Sequence, residues 1–337
     1  MGSSPRYPVL FRFTLQTFSL LRRWTIAILV ISSIASASWA EIITRNYGPF
    51  TVNFYGNGDG SFFGYSTIQN WTDQQMADVS AAIAAWDDGI VNTPGRQIIL
   101  NIGWVEFGSN STLGASGSNT TTSGGTLYNA GEHVWRDGWT GYVGGYDTAI
   151  IFDVTAAGVS GGWNFGSGNP ASNKIDFRSV VTHELGHSLG FDSSYGLGGN
   201  DKFGSALTVW DQHLVDSSGN RPAPNSRGTP GNFNQTDNPV YFDGTYSKAY
   251  NGGNLVAIYA PSSYSSGSSL VHLDESTFPN ALMSPAIGAG QMVRAPTDLE
   301  WAMMRDMGWN LIPEPASVVM LLGSLGMWLL IRRRSRR

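Results

Sequence analysis

The chain has 337 residues, 41% of them apolar, enough to bury at least one sizeable core. Charge is scarce at 13% and regional: residues 41–312 hold 11 basic against 24 acidic residues, while residues 1–40 and 332–337 hold only arginines. The acidic body excludes a nucleic-acid binder, which needs a basic face. The lack of cysteine excludes disulfide staples and any thiolate nucleophile or metal ligand.

Arg22 and Arg23 precede the apolar run WTIAILVISSIASASWA, with small residues at Ser38 and Ala40. This layout predicts a secretory signal peptide over residues 1–40 and a mature chain from Glu41, an uncleaved N-terminal anchor being the alternative. Next, YGPFTVNFYGNGDGSFFGYS alternates apolar and polar residues around Asn57-Gly58 and Asp59-Gly60, dipeptides that favour hairpin turns. A helix follows, capped by Thr72 or Asp73, with Met76, Val79, Ile83 and Trp86 at helical spacing. QIILNIGWVEF reads as a strand, residues 108–126 as a flexible Ser/Gly/Thr/Asn loop, and TAIIFDV as a second strand.

Asp176 then opens DFRSVVTHELGHSLGF, a helix burying Phe177, Val180, Val181 and Leu185. Residues 193–270 are rich in Gly, Ser, Asn and Pro, with one island, ALTVWDQHLVD. A closing helix starts at Thr297 and Asp298, carries Leu299, Met303 and Met304 as its apolar stripe, and ends at Gly308. The order of elements predicts an α+β fold.

At the C-terminus, Pro313-Glu314-Pro315 is followed by 16 apolar or small residues, Ala316 to Ile331, and then by arginines. As a helix the run is ~24 Å long. Slightly short of the ~30 Å hydrocarbon core, it is expected to act as a membrane anchor whose arginines would stay cytoplasmic. The three-part arrangement resembles the PEP-CTERM sorting signal of Gram-negative bacteria. That resemblance implies residues 313–337 as the signal, an exosortase as partner, passage through the membrane during sorting, and an exported protein released or held at the cell surface.

Chemistry concentrates in His183-Glu184-x-x-His187, a signature of zinc hydrolases. On a helix the two histidines lie on one face a turn apart and can share one ion. Glu184 lies ~100° round the helix, free to act as general base on water at the ion. Gly190 permits a sharp turn after the helix. The extended pattern His-Glu-x-x-His-x-x-Gly-x-x-His/Asp then fails, because Ser193 stands where a third ligand belongs. Asp192, Ser193, His213 and His272 remain as third-ligand candidates. His133, in NAGEHVWRDGW, reads as a polar loop residue or a substrate contact.

The segment HLDESTFPNALM resembles the distal zinc-binding region of leishmanolysin-type metalloproteases, members of the metzincin group, in His272, Asn280, Leu282 and Met283. HELGHSLGF and DLEWAMMRDMGW resemble the helices before and after it. The resemblance implies His272 as third zinc ligand, Met283 as the Met-turn below the histidines, and a metzincin-like two-part catalytic domain with a twisted mixed sheet. Residues 41–190 would form the N-terminal part with the zinc helix, and residues 191–312 a loop-rich C-terminal part. The cysteine-rich pattern of eukaryotic members is missing, and with it any cysteine-switch latency. The expected activity is an exported zinc metalloendopeptidase acting on protein or peptide. A non-catalytic, polysaccharide-associated surface or biofilm-matrix protein, using some of the 12 Trp and 13 Tyr for stacking, is the alternative. So is a zinc hydrolase acting on bonds other than peptides.

Overall fold

A computed structural model of the protein describes residues 42–108, 111–197, 202–225 and 239–312. The expected signal peptide and C-terminal sorting signal lie outside these residues. Among the described residues, no helix is long and apolar enough to cross a membrane.

The first half runs β1 (Ile43–Tyr47), β2 (Phe50–Tyr55), β3 (Ser61–Phe62), β4 (Tyr65–Ser66), α1 (Asp73–Asp87), β5 (Ile98–Val105), β6 (Gly114–Ser118), β7 (Thr120–Ser123), β8 (Thr126–Asn129), α2 (Ala130–Arg136) and β9 (Thr148–Asp153). The second runs β10 (Trp163–Asn164), β11 (Ile175–Asp176), α3 (Phe177–Ser188), β12 (Leu207–Thr208), a 3-10 turn (Asp211–His213), β13 (Leu214–Asp216), β14 (Val240–Phe242), α4 (Thr245–Tyr250), β15 (Val256–Ile258) and α5 (Asp298–Asp306). The fold is α+β, as its element order predicts.

Five strands form the main sheet in the order β1-β2-β5-β9-β6. The three inner strands are parallel, and both edges, β1 and β6, are antiparallel to their neighbours. Every residue of β9 is buried, and β5 is nearly so, which accounts for their unbroken apolar runs. Helices α1 and α3 pack together, and Trp86 of α1 donates from Nε1 to the Thr182 carbonyl of α3 at 2.9 Å.

The helix starts follow the sequence closely. Thr72 caps α1 with a capping box to Gln75. Met76, Val79, Ile83 and Trp86 are all buried. Asp176 caps α3 by accepting from the Ser179 N–H, and Thr297 caps α5 with a box to Glu300.

Three local expectations are corrected. The segment 108–126 is not a loop: β6 and β7 lie within it, and the β9 backbone supplies β6 with a ladder that its small polar side chains do not announce. Asn57-Gly58 and Asp59-Gly60 do not turn a hairpin out of β2. That strand instead pairs back to β1 across Gly48-Pro49 and in parallel to β5, and the next hairpin, β3–β4, turns at Phe63-Gly64. His133 lies in α2, not in a loop.

Candidate metal centre

His183 and His187 sit on one face of α3, and His272 joins them from far downstream. The His187 Nε2 and the His272 Nε2 each lie 3.1 Å from the His183 Nε2. Among the described residues, these three form the group able to hold a metal ion.

Each ring is aimed by a backbone carbonyl. Nδ1 of His183 donates to Leu282 O at 2.7 Å, Nδ1 of His187 to Phe191 O at 2.6 Å, and Nδ1 of His272 to Ser268 O at 2.8 Å. A carbonyl only accepts, so the proton of each neutral ring belongs on Nδ1. That leaves three Nε2 lone pairs turned toward one another. Two lone pairs at 3.1 Å cannot hydrogen-bond unless a proton lies between them, and the surroundings disfavour one. Burial, reinforced by the charge of His183, pushes His187 down to about 3. Burial and the two neighbouring rings hold His272 well below the ordinary histidine range, and burial lowers His183 as well. A metal cation satisfies all three lone pairs without protonating any ring.

The third histidine is placed by a local sheet. Its carbonyl accepts from the Tyr259 N–H at 2.9 Å, Leu273 bridges Ile258, and the Asp274 N–H donates to Ala257 O at 3.1 Å. His272 thus sits beside β15, at the edge of the β13-β14-β15 sheet. Just before it, Leu270 is fully buried at φ +71°, a left-handed conformation costly for a branched side chain. Trp210 Nε1 holds its carbonyl at 2.6 Å.

Met283 is fully buried beneath α3. A Cβ on Gly186 would lie 2.4 Å from its sulfur and 3.1 Å from the Trp86 ring. The Met283 N–H donates to Glu300 Oε1 at 2.5 Å, and the same carboxylate closes the α5 capping box at Thr297. Glu300 therefore links the α5 cap to the turn whose Leu282 carbonyl aims His183. After α3 the chain reverses at Gly190, whose φ of +115° few other residues adopt.

Glu184 is buried in the same cleft, where desolvation alone pushes its carboxyl up to about 8. The backbone of β6 closes on it: a Cβ on Gly114 would lie 2.8 Å from Glu184 Oε1. The cleft has a volume of about 810 Å3, and all of β6, a sheet edge, lines it.

The other candidates are placed elsewhere or otherwise engaged. Ser193 donates to Asp211 Oδ1 at 2.5 Å. His213 stacks on Phe242 and is 3.3 Å from Asp243 O. Asp192 lines the cleft without joining the imidazole group. His133 stacks between Tyr128 and Trp139, with Nδ1 2.7 Å from Thr121 Oγ1.

Sequence reasoning missed Gly186, Glu300, Asn129 and β6. Asn129 donates from Nδ2 to the His187 carbonyl at 2.8 Å. Of these, only Glu300 had a readable signal, the Thr-x-x-Glu spacing of a capping box. No family model, curated protein or solved structure matches the chain.

Proposed function

We propose that the protein is a zinc-dependent metalloendopeptidase with a metzincin-like catalytic domain of the leishmanolysin type. The carrying observation is the convergence of the His183, His187 and His272 Nε2 atoms in a cleft that also holds Glu184. Three neutral imidazoles suit zinc, and ideal tetrahedral coordination at ~2.0–2.1 Å puts ligand nitrogens about 3.3 Å apart, near the 3.1 Å seen. A zinc ion held there supplies Lewis acidity, making water more acidic and a carbonyl more electrophilic.

The chain's own groups account for the rest. Glu184 accepts a proton from the attacking water and passes it to the amine that leaves as the peptide C–N bond breaks. Beside a cation its carboxylate ionises at lower pH than burial alone sets. The Leu282, Phe191 and Ser268 carbonyls fix the rings before substrate arrives. The free edge of β6 offers main-chain hydrogen bonds to an extended peptide, which supports peptide as the substrate class. Export and C-terminal sorting are proposed from the two chain ends alone.

Digestion of casein or gelatin by the purified mature protein tests this reading. Proteolysis should disappear with chelator and return with zinc, and Glu184→Gln should lower it by about 10²–10⁴-fold while zinc stays bound. Proteolysis unchanged in that variant contradicts the mechanism.

A further inference from the structure

Resting on the protease reading, we propose that Asp192 selects a lysine or arginine side chain on the N-terminal side of the scissile bond. The cleft has two distinct ends. At one, the Ser179 hydroxyl accepts from the Val293 N–H, so the start of α3 faces the segment around Ile287 and Val293, which is largely apolar where it lines the cleft. At the other, the Ser116 and Ser188 hydroxyls lie 3.0 Å apart, so the C-terminal half of β6 sits beside the end of α3. Asp192 belongs to this second end. It directly follows Phe191, whose carbonyl holds His187, and it lines the cleft.

Among the described residues, no lysine or arginine bonds to its carboxylate. The carboxylate accepts from the Ser193 N–H at 2.8 Å and from the Asn129 amide, both neutral donors. Of its charged neighbours, Asp211 and Glu132 are themselves acids, and Glu132 is paired with Arg136. Desolvation is the main reason its carboxyl is pushed up to about 7. Among the described residues lining the cleft, no lysine or arginine occurs, and Glu184 is the only other carboxylate. A substrate cation would offset this half-buried charge; an acidic side chain would add to it.

The order of the two ends fixes the position. An extended peptide pairing antiparallel with β6, the more stable arrangement per residue, runs opposite to it. Its N-terminal residues then lie beside Ser116 to Ser118 and Asp192. A lysine or arginine among the residues before the bond is therefore the side chain placed to meet the carboxylate.

The test is a peptide library digested by the zinc-loaded wild-type protein, with cleavage sites read by mass spectrometry. The kcat/KM values are then compared for the best peptide carrying Lys, Ser or Glu at the selected position. Lysine and arginine should be enriched before the bond, and the Lys-to-Ser ratio should be about tenfold or more. That ratio should fall toward one in Asp192→Asn, and Asp192→Lys should favour Glu. Cleavage without basic enrichment before the bond overturns the inference while leaving the protease reading intact, as does a ratio unchanged in Asp192→Asn. Absence of all cleavage overturns the protease reading and this inference together. The wild-type profile needs no variant, so a poorly folding substitution cannot obscure the result.

Discussion

Gly186 and Met283 meet where a larger residue cannot fit: a Cβ on the glycine would stand 2.4 Å from the methionine sulfur. Gly186 lies between Leu185 and His187 on α3, so this contact sets how closely the helix that carries His183 and His187 rests on the turn below it. Glycine inside a helix ordinarily costs ~1 kcal/mol relative to alanine. Gly186→Ala should nevertheless destabilise the protein, because overpacking a filled core costs about 1–3 kcal/mol. Denaturant titration checks the sign. In a double-mutant cycle with Met283→Ala, the two effects should be clearly non-additive; additive effects would place the strain elsewhere.

Glu300 acts on the site through backbone. It caps α5 and holds the Met283 N–H, one residue from the carbonyl that aims His183. Glu300→Ala leaves a buried N–H unpaired and removes a cap, together costing about 2–4 kcal/mol. It should also weaken zinc binding by about 10–100-fold, as loss of an orienting contact does. Competition with a chromophoric chelator measures this, and unchanged zinc affinity would show that the turn holds its shape without the carboxylate.

Asp176 gives a pH dependence with a defined sign. Burial raises its carboxyl, but Arg294 and the Ser179 hydroxyl and N–H outweigh that and hold it below the ordinary carboxylate range. A group depressed in the folded state stabilises fully above its unfolded value and loses that contribution as pH falls through the folded one. Wild type should therefore exceed Asp176→Asn in Tm at neutral pH, with the gap closing below about pH 4. A gap that does not change with pH would remove the carboxylate's charge from the explanation.

The sequence showed those parts of the site whose signals are local. α1, α3 and α5 combine a 3.6-residue apolar period with side-chain caps, and Thr72, Asp176 and Thr297 all cap as their positions suggest. His183, Glu184 and His187 lie within one such helix. β6 was hidden because GASGS has no apolar alternation; its strand identity comes from β9, whose own apolar run was plain. His272 reaches the other histidines through pairing with the segment at β15 and a left-handed Leu270, neither of which nearby residues specify. Gly186 was hidden for a similar reason, since its partner lies 97 positions further along the chain.

The most direct test of the metal centre is the zinc content of the purified protein beside its His272→Ala variant, by elemental mass spectrometry after dialysis. One zinc per chain is expected in the wild type, with a marked loss in the variant. A wild-type protein without zinc, or a variant that retains it undiminished, would contradict the three-imidazole site.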